Sequence, residues 1–340
     1  MSTITRRAAV VLAVVALALI PAAPAAADPA VPTNYRGEVL ALEPAVDGAE
    51  VRVSGGDAFL VGEAAPGTEV VVLGYGDTNV PEEPYLRIDP EGTVWANVRS
   101  PAYYMNDDRF SLAFPPEADA AAEPRWERVG DDGRYAWHDH RTHWMSPVPP
   151  RQVQAAPDQR QRIMEWSVPI VVDGEQVEVR GATEWIPSES PAPPIAVALL
   201  AVAAVVAAWR TWGRTGAAGA LLLGTVGALA IAVGDVIGAV TDPEPLFIGV
   251  GAAALATGGA AAALALERRR PAESERLIIA AGVFVLAWGV PRLDAVTKPV
   301  IPNPLPDVLV RLGIAGAFAL GVVAAALVVW DRVRRSRATG

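Results

Sequence analysis

Two regimes of hydrophobic patterning divide the chain. From residue 34 to about 100, apolar and polar positions alternate with the period of two expected of half-buried strands, in short runs bounded by turn residues. Residues 38–42, 50–53, 57–61, 69–73, 85–88 and 93–95 form six such runs, with Asp47-Gly48, Gly55-Gly56 and Pro66-Gly67 among the punctuating pairs. The alternation returns at 167–172 and 176–180 around Asp173-Gly174, a strong hairpin signal. Pro169 inside the first arm predicts an edge strand or a first-residue position. Between these regions, residues 100–150 hold scattered prolines and an Ala-rich acidic tract and show little period, which predicts an irregular insertion. Its aromatics Trp126, Tyr135, Trp137 and Trp144 argue against disorder. The pattern as a whole predicts an all-β domain over 28–186, an antiparallel sandwich of the immunoglobulin-like or cupredoxin-like kind.

From residue 195 the pattern changes to long apolar runs. Five spans are predicted, at 195–209, 216–240, 246–266, 277–293 and 308–330, after a Pro-rich linker at 187–194 and before a tail at 331–340. An all-α, five-helix transmembrane region in a lipid bilayer is the expectation. The spans are rich in Gly and Ala, which lets helices approach closely. At the other end, residues 1–27 read as a signal peptide. Arg6-Arg7 precede an apolar run from Ala8 to Ile20, and Ala25-Ala26-Ala27 offers a cleavage site. Cleavage there would begin the mature chain at Asp28, which excludes a copper site built on an amino-terminal histidine.

Charge adds orientation. Arg210 and Arg214 follow the first span, Arg268-Arg269-Arg270 and Arg276 the third, and Arg332, Arg334, Arg335 and Arg337 the fifth. The positive-inside rule places all three segments in the cytoplasm, and with them the C-terminus. The β-domain is then extracellular on a cell-membrane, multi-pass protein, in agreement with the signal peptide. That domain is acidic, with Asp and Glu outnumbering Arg more than two to one between 28 and 190, so nucleic acid is excluded as a partner. Asp235, Arg311, Arg292 and Asp294 lie near the outer ends of their spans, and pairing of Asp235 with Arg311 is the simplest expectation for the first two. Cysteine is absent, which removes disulfides, thiolate metal sites and Cys nucleophiles.

The candidate chemistry is concentrated in one place. All three histidines of the chain fall at His138, His140 and His143, bracketed by Trp137 and Trp144 and followed by Met145. On an extended segment His138 and His140 share a side, and a turn would bring His143 round to them. A strand end running into a turn therefore converges three imidazoles with room for a fourth ligand. Met145 is the first candidate for that place and Met105 the second. Imidazole with thioether favours copper; without the thioether zinc fits equally well. The same H-x-H-x-x-H spacing occurs in metallo-β-lactamase-type hydrolases, but those have Asp before the third His where this chain has Thr142, and no further histidines remain for a second metal. A structural network of satisfied rings and metal-free acid–base chemistry are the competing readings. Ser146 lacks a nucleophile-elbow context and the Gly-rich stretches lack a phosphate-loop Lys, so no catalytic or cofactor-binding residue is assigned.

The Trp137-His138-Asp139-His140-Arg141-x-His143-Trp144-Met145 run, with Pro32-Thr33-Asn34-Tyr35 and Tyr85-Leu86-Arg87-Ile88, resembles a family of membrane-anchored exported proteins of high-GC Gram-positive bacteria. The resemblance implies a similar architecture over nearly the whole mature chain and carries no activity. The leading expectation is extracytoplasmic metal handling, with copper first. The alternative, without metal, is an envelope interaction or assembly protein whose aromatic-rich insertion binds a partner. A metalloenzyme is the third reading.

Overall fold

The computed structural model of the chain describes residues 30–76, 82–106, 115–241 and 244–338. The signal-peptide reading falls outside them. Among the described residues, ten strands form two antiparallel sheets. The larger is ordered β1-β10-β9-β4-β5-β6-β7 and the smaller β2-β3-β8. The strands are β1 (Tyr35–Glu43), β2 (Ala49–Ser54), β3 (Phe59–Ala64), β4 (Val70–Leu73), β5 (Pro84–Ile88), β6 (Val94–Asn97), β7 (Trp126–Gly130), β8 (Arg134–Trp137), β9 (Gln161–Val172) and β10 (Glu175–Trp185). Period-two burial faces both sheets onto one core: Val51, Leu60 and Trp137 from the smaller sheet meet Val72, Leu86, Val94, Val168 and Val179 from the larger. Comparable burial of each Val or Leu contributes about 1.5–3 kcal/mol.

The predicted hairpin exists and is longer than expected. Asp173 and Gly174 both have positive φ, 49° and 86°, as the tight turn between two right-twisted strands requires. Pro169, however, is not on an edge strand, since β9 lies between β10 and β4. β4 pairs only with Val172, Val171 and Ile170, so its ladder stops one residue short of Pro169. The missing N–H therefore costs no bond on that side. The 100–150 insertion is also more ordered than its pattern predicts. It contains α1 (Pro101–Met105), β7, β8 and, just past its end, α2 (Arg151–Ala155), and it supplies a strand to each sheet.

Among the described residues five helices follow, each long and apolar enough to cross a membrane. They are α3 (Ala192–Trp212), α4 (Arg214–Gly238), α5 (Glu244–Leu266), α6 (Pro271–Gly289) and α7 (Asp307–Ala338), with a 3-10 segment Val290–Thr297 after α6. The first is longer than its predicted 195–209, because prolines are tolerated in a first helical turn, so the linker shortens accordingly. Large apolar side chains such as Leu199, Leu200, Leu223 and Ile248 face outward, the arrangement of helices solvated by lipid. Small residues set the contacts between helices: a Cβ on Gly282 of α6 would lie 2.3 Å from the Ala325 Cβ of α7. At the end of the bundle far from the β-domain, Arg214 pairs with Glu267 at 2.8 Å and Glu275 at 3.3 Å, and Glu275 also takes Arg335.

The near end of the bundle docks on the β-domain. Thr33 and Val300 exchange backbone hydrogen bonds, the Glu189 amide donates to the Thr297 carbonyl, and Lys298 Nζ donates to Asn34 Oδ1 at 2.9 Å. A fragment ending at residue 190 is therefore expected to keep its sheets but to lose about 2–4 kcal/mol, at about 1 kcal/mol per net hydrogen bond. Faster amide exchange in β1 of the fragment than of the full chain is the readout. Equal exchange would mean that the docking contributes nothing to the domain.

Candidate metal centre

β8 delivers the histidines. It ends at Trp137, whose ring packs over Gly62 of β3, and the chain then leaves the sheet and turns through Asp139–Thr142. The Thr142 amide and hydroxyl both bond the Asp139 carbonyl, at 3.1 and 2.9 Å. This is the strand end running into a turn that the spacing predicts, and it brings His138, His140 and His143 together. One ring nitrogen from each lies within 4.8 Å of the others, a set that can hold a metal ion. Ring centroids are 4.2–5.7 Å apart. His143 is 1 % exposed and His138 8 %, while His140 is half-buried and marks the open side.

The tautomer of His138 follows from its partner. Nδ1 lies 2.8 Å from the Ala58 carbonyl oxygen, which only accepts, so Nδ1 carries the proton and Nε2 presents a lone pair. That Nε2 is 2.6 Å from Nε2 of His143. Such a pair requires either a shared proton or a cation between the rings. A tetrahedral ion at ordinary metal–imidazole lengths needs a nitrogen separation of about 3.3 Å, so the two rings would part by well under 1 Å to admit it.

Asp139 sits within the turn itself. It is fully buried and serves the turn: Oδ2 accepts from Trp137 Nε1 at 3.0 Å and Arg141 Nη2 at 2.8 Å, and Oδ1 accepts from Arg141 Nε and the Arg141 amide at 2.9 and 3.1 Å. Arg141 in turn donates to the Gly74 and Leu73 carbonyls and lies 4.6 Å over the Tyr75 ring. Burial works against the charged form of Asp139; the Arg141 guanidinium, with the bonds from Arg141 and Trp137, outweighs it and holds the carboxyl below the usual carboxylate range. Burial, aided by Asp139, pushes the Tyr75 phenol far above its ordinary value, so it stays protonated. Its hydroxyl accepts from the His140 amide at 2.9 Å and donates to Asn106 beside α1. On the other flank, Thr183 of β10 donates to the Thr142 carbonyl and accepts from Trp166 Nε1 at 3.1 Å.

Ala58, Leu73, Gly74, Tyr75, Asn106 and Thr183 thus hold the loop. None was singled out in the sequence, where they lie 31 or more residues from the bonds they serve. Trp137 is a core residue, and Trp144 is half-buried with its indole N–H on the Val148 carbonyl. Met145 and Met105 are both half-buried.

Comparison with family models, with curated proteins and with solved structures finds no match for this chain.

Proposed function

We propose that this is a membrane-anchored, extracytoplasmic metal-binding protein, most consistent with copper handling or an accessory role in a copper system. The observation that carries the proposal is that one imidazole nitrogen from each of the three histidines lies within 4.8 Å of the other two, with the His138 tautomer already set by Ala58. The donor set argues for copper. Three neutral imidazoles leave the charge of the ion uncompensated, and burial penalises a double charge far more than a single one. A monovalent soft ion, Cu(I), fits such a site directly, and Met145 supplies a thioether two residues beyond His143. A divalent ion such as zinc would need an anion at the open side by His140.

Calorimetric titration of the full chain in lipid nanodiscs with Cu(I), Cu(II) and Zn(II) tests this. The triple His→Ala variant should lose at least a hundredfold in affinity, a loss of about 2.7 kcal/mol or more. Met145→Ala should weaken Cu(I) more than Zn(II). Equal affinity of wild type and triple variant would leave the aromatic-rich segment as a partner surface without metal.

Orientation is the second part of the proposal. The Arg-rich connections gather at the bundle end opposite the β-domain, as a cytoplasmic face would. Reporter fusions at residue 100 and after 338 should report outside and inside respectively; the reverse pattern would place the histidines in the cytoplasm.

A further inference from the structure

A cavity of about 210 Å³ lies where the β-domain meets the helices. Val31, Pro32 and Phe59 line it from the β-domain, and Asp235, Arg292 and Ile314 from the helical part. Apart from Thr241 and the Asp235–Arg292 pair, the lining side chains are apolar. An engineered apolar cavity of about 150 Å³ takes up benzene, so this one accommodates a substituted six-membered ring.

The polar patch in its wall has donors to spare. Arg292 donates from Nε and Nη2 to Asp235 Oδ2, at 3.2 and 2.8 Å, and from Nη1 to the Trp288 carbonyl at 2.9 Å. A guanidinium has five N–H groups. Two of them therefore have no acceptor among the described residues. Behind this wall, Trp288 lies 5.3 Å beneath the guanidinium, fully buried, and its indole N–H lacks an acceptor among the described residues. Asp235 already neutralises Arg292, so a charged ligand would lose hydration without gaining a counter-charge. A neutral molecule with a hydrogen-bond acceptor loses little and satisfies a donor.

We propose that this cavity binds a neutral, lipid-soluble ring of about a dozen heavy atoms carrying a carbonyl oxygen, of the quinone type, with that oxygen accepting from Arg292. Such a molecule reaches the site through the bilayer that the helices span, and its ring meets Phe59 on the β-domain side.

Duroquinone is the probe, with the full chain in nanodiscs and empty nanodiscs as reference. It should quench tryptophan fluorescence saturably. Durene, the same methylated ring without oxygens, should displace it at least tenfold less effectively. Two variants fill the cavity without touching the ion pair: Val31→Phe, at an exposed position, and Ala239→Phe, in extended backbone at the end of α4. Each should weaken duroquinone binding at least tenfold. Quenching that rises linearly as in empty discs, equal displacement by durene, or binding unchanged in both variants would each overturn the proposal. No metal is used, so the outcome is independent of the histidine site.

Discussion

Asp139→Ala should destabilise the β-domain by about 3–5 kcal/mol and abolish the proposed metal binding with it. The carboxylate is the hub of the turn that carries the histidines. It takes the Trp137 indole from the core and the Arg141 guanidinium and amide from the turn, and the Tyr75 hydroxyl oxygen lies 3.4 Å away. Removing it takes away the counter-ion bonded to a largely buried Arg141 and leaves the Leu73 and Gly74 carbonyls, the Tyr75 ring and the more distant charge of Glu82, which is why loss of one partner costs more than the pair contributes. Arg141→Ala should cost a comparable amount, and the double variant clearly less than the sum of the two. Chemical denaturation of the four proteins supplies the cycle; additive losses would show that the pair is not coupled.

The same geometry separates two events on acidification. Asp139 is held below the usual carboxylate range, so its contribution to stability is full above about pH 4, the unfolded value, and is lost only as pH falls through the lower folded value. Imidazoles take up protons near pH 6.5, and protons compete with a metal for the same lone pairs. A bound ion should therefore leave on acidification while the turn stays folded. Simultaneous loss of metal and near-ultraviolet circular dichroism would mean that the ion, and not Asp139, holds the loop.

What could be read in the sequence was whatever the chain encodes locally. The six early strands, the Asp173-Gly174 hairpin and the five apolar helices each carry their own period or turn chemistry within a few residues. The three histidines were legible as a cluster for the same reason, since a strand and a turn suffice to converge them. β7 was not legible, because Trp126–Gly130 lies at the sheet edge with three of its five residues exposed, so no alternation marks it. β8 has four residues, too few to show a period. The groups that orient the site were out of reach for a different reason. Ala58 lies 80 residues from His138, and Gly74 lies 67 residues from Arg141. Only the closure of the two sheets over one core brings them together. Gly181 is similar: it has no turn to make, and its reason is the Trp166 ring, 2.1 Å from where a Cβ would stand.

The charges near the β-domain end of the helices show the same limit, and they carry the second large effect. Asp235 does not meet Arg311. It pairs with Arg292 at 2.8 Å and accepts from Asn303 Nδ2 at 2.8 Å, while Arg311 reaches the Lys298 carbonyl and Glu189. The sequence places Asp235, Arg292 and Arg311 near span ends, but which arginine faces Asp235 depends on the 3-10 segment after α6, which carries Arg292 to α4. Asp235→Ala should therefore destabilise the bundle by about 3–5 kcal/mol, because Arg292, 18 % exposed, is left charged among apolar side chains. Arg292→Met should do the same to Asp235, although Asn303 still bonds that carboxylate and lessens the penalty. The double variant should recover at least 1 kcal/mol relative to the sum. Asp235→Ala with Arg311→Ala should be additive within about 0.5 kcal/mol, since the two share no partner. Unfolding of the detergent-solubilised chain by sodium dodecyl sulfate reads all of these. Coupling of Asp235 to Arg311 rather than to Arg292 would reverse the assignment and remove the neutralised ion pair from the cavity wall.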